Sequence, residues 1–209
     1  MKIVVFGATG GAGSEIVAQA LAAGHQVTAF VRNPAKLSLQ HPNLSLFQGD
    51  VMDAAAVEQA VAGQEAVISA LGPTRPPVAG MMETAARNIV AAMDKHGVRR
   101  LISTTGAGVR DPQDQPKLFD QVMMGLLRLL ARDVLADSAA NAAVLRSSNL
   151  DWTIVRFPRL TDGPQTGKYR AGYVGKDSGS QLSRADGAEF VLRELAEGKF
   201  IRQMPVVSY

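Results

Sequence analysis

Residues 2–13 read KIVVFGATGGAG, a short apolar run followed at once by a glycine-rich turn. The apolar run has the composition of a buried strand, and a helical pattern follows the turn from about Ala12 to Ala23. A glycine turn between a strand and a helix presents backbone amides and the positive end of the helix dipole to a pyrophosphate. The stretch therefore predicts the first unit of a dinucleotide-binding sheet.

The glycines of this turn have separate physical tasks. Gly7 permits the sharp exit from the strand, Gly10 lets the backbone approach a phosphate, and Gly13 lets the helix pack closely on the strand. The alternative is that the glycines only turn the chain. The predicted phosphate-binding set is Gly7, Thr9, Gly10, Gly11, Ala12 and Gly13.

Strand and helix patterns alternate along the whole chain, as is typical of an α/β fold. Strands are predicted at residues 2–6, 26–31, 44–48, 66–71, 100–105, 152–157, 168–174 and 203–207. Helices are predicted at residues 12–23, 53–61, 81–96, 117–131, 133–147 and 184–197. We therefore expect one Rossmann-type, doubly wound domain over residues 1–209. It would have a mainly parallel sheet, helices on both faces, and a small substrate-site extension from about residue 158.

The predicted helix at 117–131 is more apolar than a single packing stripe requires. It is expected to be buried against the sheet, with a lid over a substrate pocket or a subunit interface as alternatives. The oligomeric state, monomer or homodimer, stays open at this point.

Composition excludes several classes of function. The 209 residues include no Cys and three widely separated His, so neither a thiol nucleophile nor a metal site is expected. The net charge of +3 is too small to indicate nucleic acid, and the basic surplus lies in residues 144–176. The sequence has no signal-peptide pattern and no apolar run long enough to span a membrane. We expect a cytoplasmic protein without membrane association.

The end of the second strand indicates which nicotinamide cofactor binds. An acidic residue there bonds the ribose 2′-hydroxyl of NAD, whereas Arg accommodates the 2′-phosphate of NADP. Arg32 occupies this position, Lys36 follows, and residues 31–39 contain no carboxylate. NADP(H) is therefore predicted in preference to NAD(H), with solvated surface charges as the alternative.

The carboxyl ends of the other strands supply further predicted cofactor contacts, because open α/β sheets bind ligands at that edge. Asp50 is expected to accept a hydrogen bond from the adenine amino group, or alternatively to cap the helix that follows. The remaining predicted cofactor residues are Val51, Leu71, Gly72, Arg75, Thr104, Thr105, Phe157 and Pro158.

Five segments together carry a family resemblance. They are FGATGGAG at 6–13, VRNPAK at 31–36, GDV at 49–51, ARNIVAAM at 86–93 and LDWTIVR at 150–156. The set resembles the atypical short-chain dehydrogenase/reductase family, in particular its NADPH-dependent flavin reductase and biliverdin reductase B group with bacterial relatives. The resemblance covers nearly the whole chain. It implies NADP(H) as cofactor and a flavin, linear tetrapyrrole or quinone-like acceptor, with FMN or FAD as a substrate and not a prosthetic group.

At the positions expected to bind the acceptor, this sequence differs from the reductases that it resembles. The resemblance implies Ser where this chain has Gly106, and His where it has Ser138 and Arg159. The chain also lacks a Tyr followed four residues later by Lys, which supplies the proton in alcohol-oxidising short-chain dehydrogenases. Direct hydride transfer, with the proton taken from water, is therefore expected.

The ends of the fifth and sixth strands supply the candidate catalytic residues, Thr105 and Arg159, and the alternative for Thr105 is a residue that only fills the sheet. A small anionic acceptor is predicted to bind Arg156, Arg159, Lys168 and Arg170, with solvated charges as the alternative. Two other functions stay open: a nonenzymatic NADP(H)-sensing regulator, and a sugar-nucleotide epimerase.

Overall fold

The computed structural model describes residues 1–74, 76–118, 121, 125 and 131–209. Their strands are β1 Lys2–Phe6, β2 Gln26–Val31, β3 Leu44–Gln48, β4 Ala66–Ser69, β5 Arg100–Gly106, β6 Asp151–Phe157, β7 Arg159–Thr161, β8 Arg170–Gly172, β9 Gln181–Ser183 and β10 Val206–Ser208. Their α-helices are α1 Gly11–Ala22, α2 Ala54–Val61, α3 Met81–His96, α4 Arg132–Ser147 and α5 Arg184–Glu197, with a 3-10 helix at Pro34–Lys36. None of the described helices is long and apolar enough to cross a bilayer.

Eight of the described strands form one sheet, in the order β3-β2-β1-β4-β5-β6-β10-β8. Every neighbouring pair in this sheet is parallel except β10 with β8. Because strand order runs outward in both directions from β1 and β4, a crevice opens between the carboxyl ends of these strands. The predicted Rossmann-type fold is confirmed.

Helices cover both faces of the sheet, and β1 shows how the sequence allows this. Val4 and Phe6 pack into the core formed with α2, α3 and α4, whereas Ile3 and Val5 pack into the core formed with α1 and α5. All four side chains are fully buried. Successive strand residues point to opposite faces, so an uninterrupted apolar run is what a strand covered on both sides requires.

The predicted and observed elements differ chiefly in the last quarter of the chain. The strands predicted at 168–174 and 203–207 are shorter, at Arg170–Gly172 and Val206–Ser208. β7 and β9 were not predicted, because three residues are too few to show the alternation of a strand. Most of the helix predicted at 117–131 lies outside the described residues.

Candidate functional site

A cavity of about 400 Å³ opens at the carboxyl ends of β1, β2 and β4. It brings together ten residues of the predicted cofactor set: Gly7, Thr9, Gly10, Gly11, Ala12, Arg32, Asp50, Val51, Leu71 and Gly72. Sequence analysis missed the other described lining residues, which are Phe30, Val31, Met52, Ala70, Pro73, Thr74, Val78 and Met81. Most of these are apolar and carry no chemical signal that distinguishes them from core residues. Arg75 lies outside the described residues.

The backbone of the glycine turn is packed too tightly to admit side chains. Gly7 has a φ of +77°, and a Cβ there would lie 2.5 Å from the carbonyl oxygen of Ala70. A Cβ on Gly13 would lie 2.1 Å from the carbonyl oxygen of Gly7. The Gly10 amide donates to that same carbonyl at 3.0 Å and closes the turn. The close packing of the turn brings its backbone to the cavity wall, where a pyrophosphate can approach it.

The first turn of α1 has amides that no side chain caps. Its N-cap residue is Gly10, and no acidic residue lies in its first turn. By contrast, Asp53 caps α2 and Ser183 caps α5. The positive end of the α1 dipole therefore faces the cavity without a compensating side-chain oxygen, and an anion can bind there.

Arg184, the first residue of α5, lies against this turn. A Cβ on Gly11 would lie 2.6 Å from Nε of Arg184, so the glycine makes room for the arginine. The Arg184 guanidinium also forms an ion pair with Asp162, which follows β7. Sequence analysis missed Arg184, since it reaches Gly11 only because α5 packs against α1, where Gln19 donates to the Ala185 carbonyl at 2.9 Å.

Two predicted cofactor cations lie beyond the end of β2. Arg32 is exposed and lines the cavity, and in the described part of the chain its side chain forms no hydrogen bond or ion pair. Lys36 is also exposed, but it does not line the cavity. The structure therefore leaves the Arg32 guanidinium available to a ligand.

The alternative role of Asp50 as a helix cap is wrong. Asp53 caps α2, with its Oδ1 accepting from the amides of Ala55 at 2.9 Å and Ala56 at 3.3 Å. Asp50 lines the cavity, and its Oδ1 accepts from the Met52 amide at 2.9 Å within the turn before α2. The other carboxylate oxygen of Asp50 has no hydrogen bond among the described residues.

The residues predicted at the nicotinamide end lie on the neighbouring strands β5 and β6. Gly106 pairs in register with Phe157, and Thr105 precedes it on β5. Thr104 is buried, whereas Thr105 and Pro158 are half-buried. None of the predicted residues Gly13, Lys36, Thr104, Thr105, Phe157 and Pro158 is among the described lining of the 400 Å³ cavity.

None of the three tyrosines is suited to transfer a proton during catalysis. The hydroxyl of Tyr169 donates to Glu189, and that of Tyr209 donates to Asp186 at 2.7 Å. Burial raises the pKa of Tyr173, whereas a tyrosine that exchanges a proton during catalysis needs a lowered pKa. No tyrosine of this chain is thus arranged as a proton relay.

The predicted role of Arg156 in binding the acceptor is wrong. Its side chain has no exposed surface, and its guanidinium donates to both carboxylate oxygens of Asp114, at 2.7 and 2.8 Å. The sequence does not reveal this burial. Arg156 lies on β6, an interior strand of the sheet, and the segment after β5 covers its side chain. Arg170 is exposed, but it donates to the backbone oxygen of Tyr209 at 3.1 Å.

Two further cavities lie beyond the end of β5. One, of about 150 Å³, is lined by Ala107, Arg110, Asp111, Asp114, Pro116, Gln121 and Val174. The other, of about 420 Å³, is lined by Gly108, Val109, Arg110, Arg132, Leu135, Ala136 and Ala139. Neither arginine has a side-chain hydrogen bond or ion pair within the described ranges. The exposed Arg159 and Lys168 line neither cavity.

The fold and the glycine-lined crevice define a dinucleotide-binding protein of the Rossmann type. In the residues that the structure describes, no cluster of His, Asp and Glu is arranged to hold a metal ion. The chain belongs to the NAD(P)H-binding family, whose sequence model matches residues 7–198.

Solved structures show the same architecture. A protein from Burkholderia pseudomallei is 31% identical, with 100% of each chain covered and a TM-score of 0.80. An anaerobilin reductase from Escherichia coli O157:H7 is 23% identical, covers 100% of this chain and 97% of its own, and has a TM-score of 0.81. A short-chain dehydrogenase/reductase from Veillonella parvula, in complex with NADP, is 22% identical, with 100% and 94% covered and a TM-score of 0.80. The last two likenesses are of fold, and they agree with the resemblance to the atypical short-chain dehydrogenase/reductases.

Proposed function

We propose that the protein is an NADPH-dependent reductase of a small anionic acceptor of the flavin or linear-tetrapyrrole type. One observation carries the cofactor part: a single cavity has an uncapped helix N-terminus at the glycine turn and the unpaired Arg32 beyond β2. The two positions suit the pyrophosphate and the 2′-phosphate of NADP(H). The binding of NADP by the Veillonella parvula neighbour agrees with this assignment.

The residues of the chain fit this cofactor. A Cβ at Gly7 would collide with the backbone of Ala70, and one at Gly13 with the backbone of Gly7, so both glycines let the turn pack closely on its neighbours. Asp50 retains a free carboxylate oxygen for the adenine amino group, and Leu71 and Gly72 line the wall for the adenosine ribose. NADPH, when bound, supplies the hydride.

The protein itself would then contribute mainly by positioning the cofactor and the acceptor. The Tyr173 pKa is raised by burial, and Tyr169 and Tyr209 are bound to carboxylates, so the proton that follows the hydride comes from water. Thr105 and Gly106, at the end of β5, are the residues that would hold the nicotinamide end of the cofactor. Flavins and linear tetrapyrroles accept hydride without a strong side-chain acid, which makes this acceptor class suitable.

Turnover with an acceptor panel tests the proposal. With NADPH present, we expect FMN, FAD, riboflavin or biliverdin to be reduced, and the absorbance of reduced nicotinamide to fall. NADH at the same concentration is expected to give a slower rate. Tight NADPH binding without turnover of any of these acceptors or of quinones would contradict the reductase and favour a cofactor-sensing regulator.

A charge-specific effect on acceptor binding is the second expectation. Among the exposed cations near the end of β5, Arg110 and Arg132 share the wall of the 420 Å³ cavity, and its apolar floor suits a flat ring system. Replacing both by Ala is expected to raise KM for FMN about tenfold, with little change for uncharged riboflavin, because charge-assisted hydrogen bonds to the phosphate are lost.

The matched control is the double replacement of Arg159 and Lys168 by Ala, which removes the same charge from side chains that line no described cavity. If this control raises KM for FMN selectively and the Arg110/Arg132 variant does not, the anion binds where the sequence predicted it. If both variants change KM for FMN and KM for riboflavin equally, neither pair of cations binds the phosphate of the acceptor.

A further inference from the structure

Gly11 belongs to the predicted phosphate-binding set, but it is not one of the three glycines whose separate tasks the motif defines. The side chain nearest to it in space is that of Arg184. Arg184 reaches from the start of α5 to the first turn of α1, and Nε, Cδ and Cζ would lie 2.6, 3.0 and 3.4 Å from a Cβ on Gly11. Gly11 lines the 400 Å³ cavity. Arg184 is not among the described lining residues of that cavity, but its guanidinium lies beside Gly11, the first residue of α1.

The guanidinium has donors to spare at this position. It offers five N–H groups in one plane, and the ion pair with Asp162 uses Nη1. Within the described residues, Nε and Nη2 have no acceptor. An anion at the α1 N-terminus can therefore bind the free edge of the guanidinium while Asp162 keeps the other edge.

A cation at this position would complement the charge of a bound pyrophosphate. A pyrophosphate carries negative charge that the partial charges of a helix N-terminus offset only in part. Arg32 is the sole cation among the described lining residues, and it lies beyond β2, away from the glycine turn. Arg184 brings a full positive charge to the turn itself. It lies on α5, which is distant in sequence from the glycine motif.

We propose that Arg184 is a ligand of the cofactor pyrophosphate and that Asp162 is its positioning residue. This inference rests on the proposed function, because it needs a nicotinamide dinucleotide in the cavity. Asp162 follows β7, so the contact also joins the cofactor to the segment at 162–169. The Asp162 carboxylate is 91% exposed, and an ion pair that exposed adds little to folding stability, so both residues can be replaced without unfolding the chain.

Ligands that carry different phosphates separate Arg184 from Arg32. For Arg184→Gln we expect Kd for NADPH and NADH to rise by the same factor, about tenfold, since one charge-assisted contact to a group common to both is lost. Binding of adenosine 2′-monophosphate, which has no pyrophosphate, stays within twofold. Arg32→Ala should give the opposite pattern, with weaker NADPH and adenosine 2′-monophosphate and unchanged NADH.

Asp162→Asn tests the positioning role. It is expected to raise both dinucleotide Kd values about threefold, and to add nothing when combined with Arg184→Gln, because the two residues act through one contact. Arg193→Gln is the matched control, since Arg193 lies on the same helix but stacks on Tyr169, 5.1 Å from the ring centroid. This control should leave every Kd unchanged.

Three outcomes would overturn the assignment of Arg184. Unchanged Kd values for NADPH and NADH would show that it is no ligand, and a loss confined to NADPH would place it at the 2′-phosphate. An equal loss for adenosine 2′-monophosphate would indicate general damage to the site. If the unaltered protein binds neither NADPH nor NADH, the proposed function fails and this inference fails with it.

Discussion

Arg32→Asp is expected to weaken NADPH binding about a hundredfold, which corresponds to roughly 2.7 kcal/mol. Arg32 lines the cavity without a side-chain partner among the described residues, so none of these competes with a 2′-phosphate for it. The replacement removes a charge-assisted contact and adds repulsion between Asp and the phosphate. NADH binding should stay within threefold or improve, because Asp can accept from the ribose 2′-hydroxyl.

Equilibrium titration of both cofactors measures the change, and Lys36→Asp serves as its control. Lys36 lies on the 3-10 helix after Arg32 and is as exposed, but it does not line the cavity. Its replacement should lower NADPH affinity far less. If Arg32→Asp weakens NADPH and NADH alike, the residue supports the shape of the site and does not select the cofactor.

The cofactor half of the site was open to prediction from sequence because its determinants are local. Gly7, Gly10 and Gly13 follow β1 directly, and Arg32 and Asp50 come at the ends of the next two strands. Parallel strands bring their carboxyl ends to one edge, so the chain order alone places these residues near each other. The periodicity of the strands and helices predicted the sheet for the same reason.

The acceptor half was harder to predict because it depends on contacts between distant segments. Arg156 looked like one of several cations after the sixth strand, but the fold buries it against Asp114. On the cofactor side, α5 likewise places Arg184 beside Gly11, a contact that no local motif shows. The sequence shows where basic residues occur but not which of them the fold buries. The roles of the cations after the sixth strand could therefore be assigned only from the structure.

A buried carboxylate fixes part of this acceptor half. Asp186 accepts from the amides of Thr166 and Gly167 at 2.7 and 2.8 Å, and from the hydroxyl of Tyr209 at 2.7 Å. Burial alone raises the pKa of Asp186, but these hydrogen bonds outweigh it and hold the pKa below its usual value. The segment around residue 166 is thereby anchored to α5, the helix that also carries Arg184.

The second large effect is expected from Asp114→Ala, which should lower the free energy of unfolding by about 3–5 kcal/mol, because it leaves the buried Arg156 cation without its partner. Asp114 also accepts from the amides of Asp111 at 2.8 Å and Val174 at 3.1 Å. One carboxylate thus joins β6 to two loops that line the cavities beyond β5. Urea unfolding at neutral pH measures the loss.

The same pair predicts a dependence on pH. Burial raises the pKa of Asp114, but hydrogen bonds from Arg156 and two amides outweigh it, so the pKa lies below its usual value. A carboxylate with a lowered folded-state pKa stabilises the protein above its unfolded pKa of about 3.9 and loses that contribution as pH falls through the folded-state value. The stability difference between the unaltered protein and Asp114→Ala should therefore shrink below about pH 4.

Two comparisons separate the buried pair from an ordinary ion pair. Glu58→Ala removes an exposed partner of Lys95, 2.7 Å away, and should change stability little. Adding Arg156→Met to Asp114→Ala removes the unpaired cation and should recover part of the lost stability, since an apolar side chain is cheaper to bury than a lone charge. If Asp114→Ala costs no more than Glu58→Ala, water reaches Arg156 in solution.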